Sequence, residues 1–364
     1  MTRIVLCCGT GGVGKTTTAA AVGVAWALAG HRACVLTIDP ARRLADALGL
    51  DRLDNSPRQV PLSGLDLPDG GSLHALMLDR KSTFDDAIRR MAGDEQTASR
   101  LLANRYYRAV STRLTGSQEY MATEKLNELV QSGDFDVVVV DTPPSQHAIE
   151  FFRAPERIQR LFDGPVVRRL VNPGRGLTGG GTRRILRSVL SLVGRDVLDD
   201  IGEFFKLMNH ASHGFADNSA AIAERLRSDE TTLLLVTSPA TAARNGALKF
   251  LVQAREDEIK VDGFVINRFI SPTGTNAETW TVPPPADTTN AEWAAWMTAL
   301  HAHAARQDAI AARHQIAAAE LSEAADGAPV WALPYLPTGL RSAEGLASLA
   351  RFLPPLRTTG STSR

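Results

Sequence analysis

The chain is poor in cysteine, with three in 364 residues: Cys7, Cys8 and Cys34. No C-x-x-C pair occurs, which argues against a disulfide framework and against a cysteine-built structural zinc site. Net charge is also missing, since 40 basic side chains face 40 acidic ones. That balance excludes the strong overall field expected of a general nucleic-acid or anionic-membrane binder. There is no long apolar run. The longest near-apolar stretch, Ala19 to Gly30, is too short to span a bilayer. The first residues lack the layout of a secretory leader, because a glycine loop begins at Gly9. The expectation is a cytoplasmic protein in a reducing compartment, with no nucleic-acid partner and no direct transmembrane segment.

What the sequence has in place of these is a phosphate loop. Gly9-Thr10-Gly11-Gly12-Val13-Gly14-Lys15-Thr16-Thr17 fits G-x-x-x-x-G-K-[ST] in full. A short apolar run, Ile4 to Cys8, precedes it, and an Ala-rich stretch from Thr18 to Ala29 follows. Strand, glycine loop and helix are the context that makes the match meaningful. The glycines allow the backbone N–H groups to turn toward phosphate, and the helix N-terminus adds partial positive charge. Gly9, Gly11, Gly12, Val13, Gly14, Lys15, Thr16 and Thr17 are therefore read as nucleotide-binding. Lys15 is expected at the β- and γ-phosphates, and the Thr16 hydroxyl at Mg²⁺.

A second signal is Asp136-Val137-Val138-Val139-Val140-Asp141-Thr142-Pro143-Pro144. Four consecutive valines read as a central strand buried on both faces. Asp141 at its end is expected to support Mg²⁺ through water. Ala33 to Asp39 reads as another strand, and Asp39 is the candidate to orient the attacking water. Asp39, Asp79 and Asp141 are all expected on loops beside the P-loop, with Asp79 only capping its strand. Lys15, Asp39 and Asp141 form the catalytic set. Asn267-Arg268-Phe269-Ile270 has the Asn of the guanine-reading N-K-x-D motif without its Asp, so ATP is favoured and Asn267 is placed near adenine.

Alternating strands and helices predict an α/β fold, a P-loop NTPase with a mainly parallel twisted sheet covered by helices on both faces. Residues 1–150 and 228–353 are expected to form one discontinuous core. Residues 151–227 are expected to form a helical insertion subdomain, and 354–364 a disordered tail. The insertion contains the Gly-rich stretch 172–181 and a helical stripe at Val197, Ile201, Phe204, Met208, Ala211 and Phe215, continued by Ile222 and Leu226. Gly116 to Met121 reads as a helix–helix turn.

Three motifs together carry a resemblance. The P-loop, Asp39-Pro40-Ala41 and Asp141-Thr142-Pro143-Pro144-Ser145-Gln146-His147 resemble the arsenite-pump and tail-anchored-protein-targeting ATPases, within the MinD-like P-loop class. Actinobacterial ArsA-like ATPases, some encoded as paired paralogues, look nearest. The resemblance implies an ATP- and Mg²⁺-dependent switch working as a homodimer, or as a heterodimer with a paralogue. It implies a hydrophobic or membrane-protein client bound on the helical insertion. It also implies that Asn267, Arg268, Pro334 and Tyr335 contact adenine. Three features depart from the pattern. The family's intersubunit lysine is Thr10 here, no zinc C-x-x-C is present, and no cysteine cluster for arsenite exists. Thr10 points to slow hydrolysis by the lone chain, with Arg42 or Arg43 as substitute cations. The alternatives are a weakly catalytic ATP-binding subunit partnered by a lysine-bearing paralogue, or the ATPase subunit of an anion pump. A positioning ATPase is disfavoured by a tail with no amphipathic membrane helix.

Overall fold

A computed structural model describes residues 2–104, 117–144, 148–156, 218–272, 283–285, 287–336 and 342–353. Strands β1 (Arg3–Cys8), β2 (Arg32–Thr37), β3 (Arg58–Gln59), β4 (Ser72–Met77), β5 (Val137–Asp141), β6 (Thr231–Thr237), β7 (Gly263–Phe269) and β8 (Val330–Pro334) make one sheet. Its order is β3-β4-β2-β5-β1-β6-β7-β8. The β3–β4 pair is antiparallel and the other neighbours are parallel.

The reason for this arrangement is legible in side-chain alternation. In β5, Val138 and Val140 enter one hydrophobic cluster while Val137 and Val139 enter the other. In β1, Ile4, Leu6 and Cys8 face the first cluster, and Val5 and Cys7 the second. A strand that is apolar at every position can be satisfied only by cover on both faces. Each valine so buried stabilises the fold by roughly 1.5–3 kcal/mol. One face is covered by α1 (Lys15–Leu28) and the helix Ala343–Ala350. The other is covered by helices Arg80–Met91, Glu95–Ala103, Ser117–Ser132 and Thr241–Glu256. Helix Asn290–Ala324 starts from a capping box of Thr289 and Glu292.

Register then positions the loops. Cys7 of β1 and Thr37 of β2 are both aligned with Asp141 of β5. The P-loop, the Asp39 loop and the Asp141 loop therefore leave the same edge of three adjacent strands. Asp79 does not join them. β4 lies beyond β2 and β5 from β1, and the Asp79 carboxylate accepts from the Ser82 N–H at 2.7 Å as a helix N-cap. Ser117 to Met121, expected in a turn, is already helix.

The helical segments 148–156 and 218–227, at the two ends of the expected insertion, share the sheet's core. Phe151, Phe152, Ile222 and Leu226 are buried in the same cluster as Ile4 and Leu6. Arg227 and Glu156 join the two segments with a 3.0 Å ion pair. The stripe from Val197 to Phe215, the Gly-rich stretch, Ser145 to His147 and the tail after Leu353 lie outside the described residues.

Candidate active site

The P-loop geometry follows from two glycines. Gly9 has φ +153°, and a Cβ there would lie 2.1 Å from the Val236 carbonyl oxygen. Gly14 has φ +98°, and a Cβ there would lie 2.0 Å from Asn267 Nδ2. No L side chain fits either place. Gly11 and Gly12 are exposed and face open space. Gly14 is the N-cap of α1 and gives it no side-chain cap, and no acidic residue occupies the first turn. The first N–H groups of α1 are thus left for a ligand, with the dipole favouring an anion.

Lys15 is buried and its ammonium donates to the Thr10 carbonyl at 3.0 Å. Burial lowers its pKa, while the nearby carboxylates of Asp141 and Asp39 push it back up. Asp141 is also buried, and the Thr37 hydroxyl donates to its Oδ2 at 2.9 Å. Burial pushes its carboxyl up to about 6, opposed by the Thr16 and Thr37 hydroxyls and the Lys15 ammonium. Its Oδ1 has no partner of normal hydrogen-bond geometry. An orphaned buried carboxylate oxygen next to the Thr16 hydroxyl is the chemistry that suits a hydrated Mg²⁺. Among the described residues, no group of three or more His, Cys, Asp or Glu gathers as a metal cluster. Any metal would therefore rely on Thr16, Asp141, water and phosphate. Cys7 and Cys8, on the strand before the loop, are buried thiols, and burial pushes Cys8 up to about 12. They are buried core residues.

The Asp39 carboxylate is committed to its own loop. Oδ1 accepts from the Ala41 N–H at 3.0 Å, and Oδ2 meets Arg43 Nη1 at 3.0 Å. Arg42 donates to the Asp51 carbonyl. Neither arginine is idle, and Arg43 is the one close enough to lower the pKa of Lys15 by like charge. Beside this loop a cavity of about 110 Å³ is lined by Thr37, Ala41, Arg42, Leu44, Leu53 and Met77.

Asn267 is buried and reaches the P-loop, donating from Nδ2 to the Val13 carbonyl at 2.9 Å. Arg268 is exposed at φ +60°. A register shift in β7–β8 sets Phe269 opposite Pro334, and the Tyr335 N–H donates to the Phe269 carbonyl at 3.1 Å. Asn267, Arg268, Pro334 and Tyr335 are thereby gathered at one end of β7 and β8. Tyr335 is 64% exposed there.

Three residues escaped sequence reading. Thr37 orients Asp141 across 104 positions. Gln118 donates to the Ile38 carbonyl at 2.9 Å across 80 positions. Gly246 faces Thr10, whose Cγ2 would lie 2.3 Å from a Cβ at that position. None lies in a motif, and only strand register and helix packing bring them to the site.

Known proteins are similar to this chain in sequence. Residues 2–279 match the family model described as anion-transporting ATPase. A protein named ATPase get3 from Aspergillus terreus is 26% identical over 212 residues, covering 54% of this chain and 58% of that protein. A protein of the same name from Malassezia globosa is 26% identical over 56% of this chain and 59% of its own length. An uncharacterized protein of Streptomyces coelicolor is 30% identical over 78% of this chain and 66% of its own. The match thus spans little more than half of the fungal relatives. Among the described residues no helix is long and apolar enough to cross a membrane. With a family match covering most of its length and a P-loop placed on a parallel sheet, this chain belongs to the anion-transporting ATPase family.

Proposed function

We propose that the protein is a Mg²⁺-dependent ATPase switch, working as a dimer and coupling nucleotide state to a hydrophobic or protein client held by a helical insertion at residues 151–227. The observation that carries the catalytic part is the buried Asp141, tied to Thr37 and facing Lys15 and Thr16 with one oxygen unpartnered.

The N–H groups of the P-loop and of the first turn of α1 bind the phosphates, and Lys15 exchanges the Thr10 carbonyl for β/γ-phosphate oxygens. Thr16 and Asp141 would hold Mg²⁺, Asp141 through water, and the metal would supply charge neutralisation on the phosphates. Asp39 orients the attacking water after exchanging Arg43 for it. Asn267 fixes the P-loop through the Val13 carbonyl and lies near adenine, with Arg268, Pro334 and Tyr335 alongside.

The dimer and client roles rest on the fungal relatives' family, and Thr10 bears on the rate. A threonine cannot send a cation to a partner's phosphates, and loss of such a cation typically costs about 10³-fold or more. Slow hydrolysis by the lone chain is therefore the reading. The related possibility is a weakly catalytic subunit completed by a lysine-bearing paralogue. The test is ATP affinity and phosphate release for wild type, Lys15→Ala, Asp39→Asn and Thr10→Lys, with particle mass measured with and without nucleotide. Unchanged ATP affinity in folded Lys15→Ala would sink the assignment. Wild-type turnover above about 1 s⁻¹ would remove the paralogue reading.

A further inference from the structure

We propose that Gln118 is a positioning residue for hydrolysis, and that its helix links the Asp39 loop to the foot of the helical insertion. The proposal rests on the ATPase reading above and adds the route between its two ends.

Ile38 is the pivot. Its N–H donates to the Asp141 carbonyl at 3.2 Å, and its own carbonyl accepts from Gln118 Nε2 at 2.9 Å. The residue before Asp39 is therefore fixed from the metal-side strand and from the start of helix Ser117–Ser132. Asp39 can turn from Arg43 toward a water only as far as that anchor allows.

The same helix, within its first two turns, is buried against the other partner. Tyr120 and Glu124 are each 2% exposed, and the Tyr120 hydroxyl donates to Glu124 Oε1 at 2.5 Å. Across from them is the start of the 218–227 helical segment, the return stem of the insertion. Its Ser219 is 1% exposed with its hydroxyl lacking a hydrogen-bond partner. Ile222 and Leu226 continue the contact in the shared core.

A buried polar pair is costly when its geometry is disturbed, because its groups cannot find water instead. A shift of the stem on client binding is thus passed to the helix, not absorbed at the contact. Two turns of hydrogen-bonded helix transmit it to Gln118 with little loss. At the switch end the link is the Gln118–Ile38 hydrogen bond, and at the stem end it is the core shared by Tyr120, Ile222 and Leu226.

The experiment uses the full chain with Gln118→Ala, Gln118→Met and Tyr120→Phe. Met keeps the length and apolar stem of Gln while removing the donor. Thermal melts establish folding, and Lys15→Ala serves as the inactive reference. For both Gln118 variants, ATP affinity stays within about twofold of wild type. Single-turnover hydrolysis changes by roughly three- to tenfold, the worth of one hydrogen bond. Amide exchange over 38–45 accelerates while that of α1 does not. In Tyr120→Phe, the effect of ATP on exchange over 218–227 is lost. Wild-type hydrolysis and wild-type exchange over 38–45 in Gln118→Met would overturn the proposal, leaving Gln118 as a group that merely satisfies a carbonyl. Retained ATP-dependent exchange over 218–227 in Tyr120→Phe would overturn the link to the insertion. Hydrolysis by Lys15→Ala at the wild-type rate would also overturn it, and that outcome alone would take the ATPase reading with it.

Discussion

Asp141 makes the folded chain less stable in the absence of ligand than it would be without that charge. Burial lifts its carboxyl from an ordinary 3.8 to about 6. The folded state therefore binds this proton more tightly than the unfolded state does. The associated stability is fully present below pH 3.8 and is lost as pH rises through about 6. At pH 8 the loss amounts to at most about 3 kcal/mol, and by pH 5 about half of it has returned. Asp141→Asn removes the charge while an amide oxygen can still accept from Thr37. The ligand-free variant is expected to be more stable than wild type at pH 8. The gain stays under the bound, because the Lys15 ammonium loses an attractive neighbour. For 364 residues, about 3 kcal/mol corresponds to ~4 °C in Tm. Differential scanning fluorimetry at pH 5, 6, 7 and 8 measures the gap between the two proteins, which cancels the other titrating groups. The gap should shrink steadily toward pH 5, and Mg²⁺ with ATP should reverse it by stabilising wild type alone. A variant no more stable at pH 8, or a gap that does not change with pH, would refute the reasoning that Asp141 is held ionised against burial for a ligand.

Lys15→Ala should lose ATP binding in isothermal titration yet fold normally, since burial already works against its charge. Asn267→Ala leaves the Val13 carbonyl without its donor and should cost about 1–3 kcal/mol in chemical denaturation, with weaker ATP binding as the P-loop loosens. Gly246→Ala forces a Cβ to 2.3 Å from Thr10 Cγ2 and should destabilise by about 1–3 kcal/mol. Combining it with Thr10→Ser, which lacks that methyl, should restore most of the loss in the same assay.

The parts of this fold legible in the sequence are those whose signal is local. Four valines ending in Asp141 specify a central strand because no other element can bury every one of them. The glycine loop is legible for the same reason, since its motif is contiguous from Gly9 to Thr17. Asp79 shows where local reading fails. It follows an apolar run just as Asp39 does, and only strand order, with β2 and β5 between β4 and β1, takes it away from the site. Thr10 is the deeper case. In the sequence it is an isolated loss of a lysine. In the fold its carbonyl holds the Lys15 ammonium and its methyl fills the notch left by Gly246. The threonine and the glycine, 236 positions apart, are therefore fitted to each other. A lysine at position 10 would therefore need a different path out of this notch.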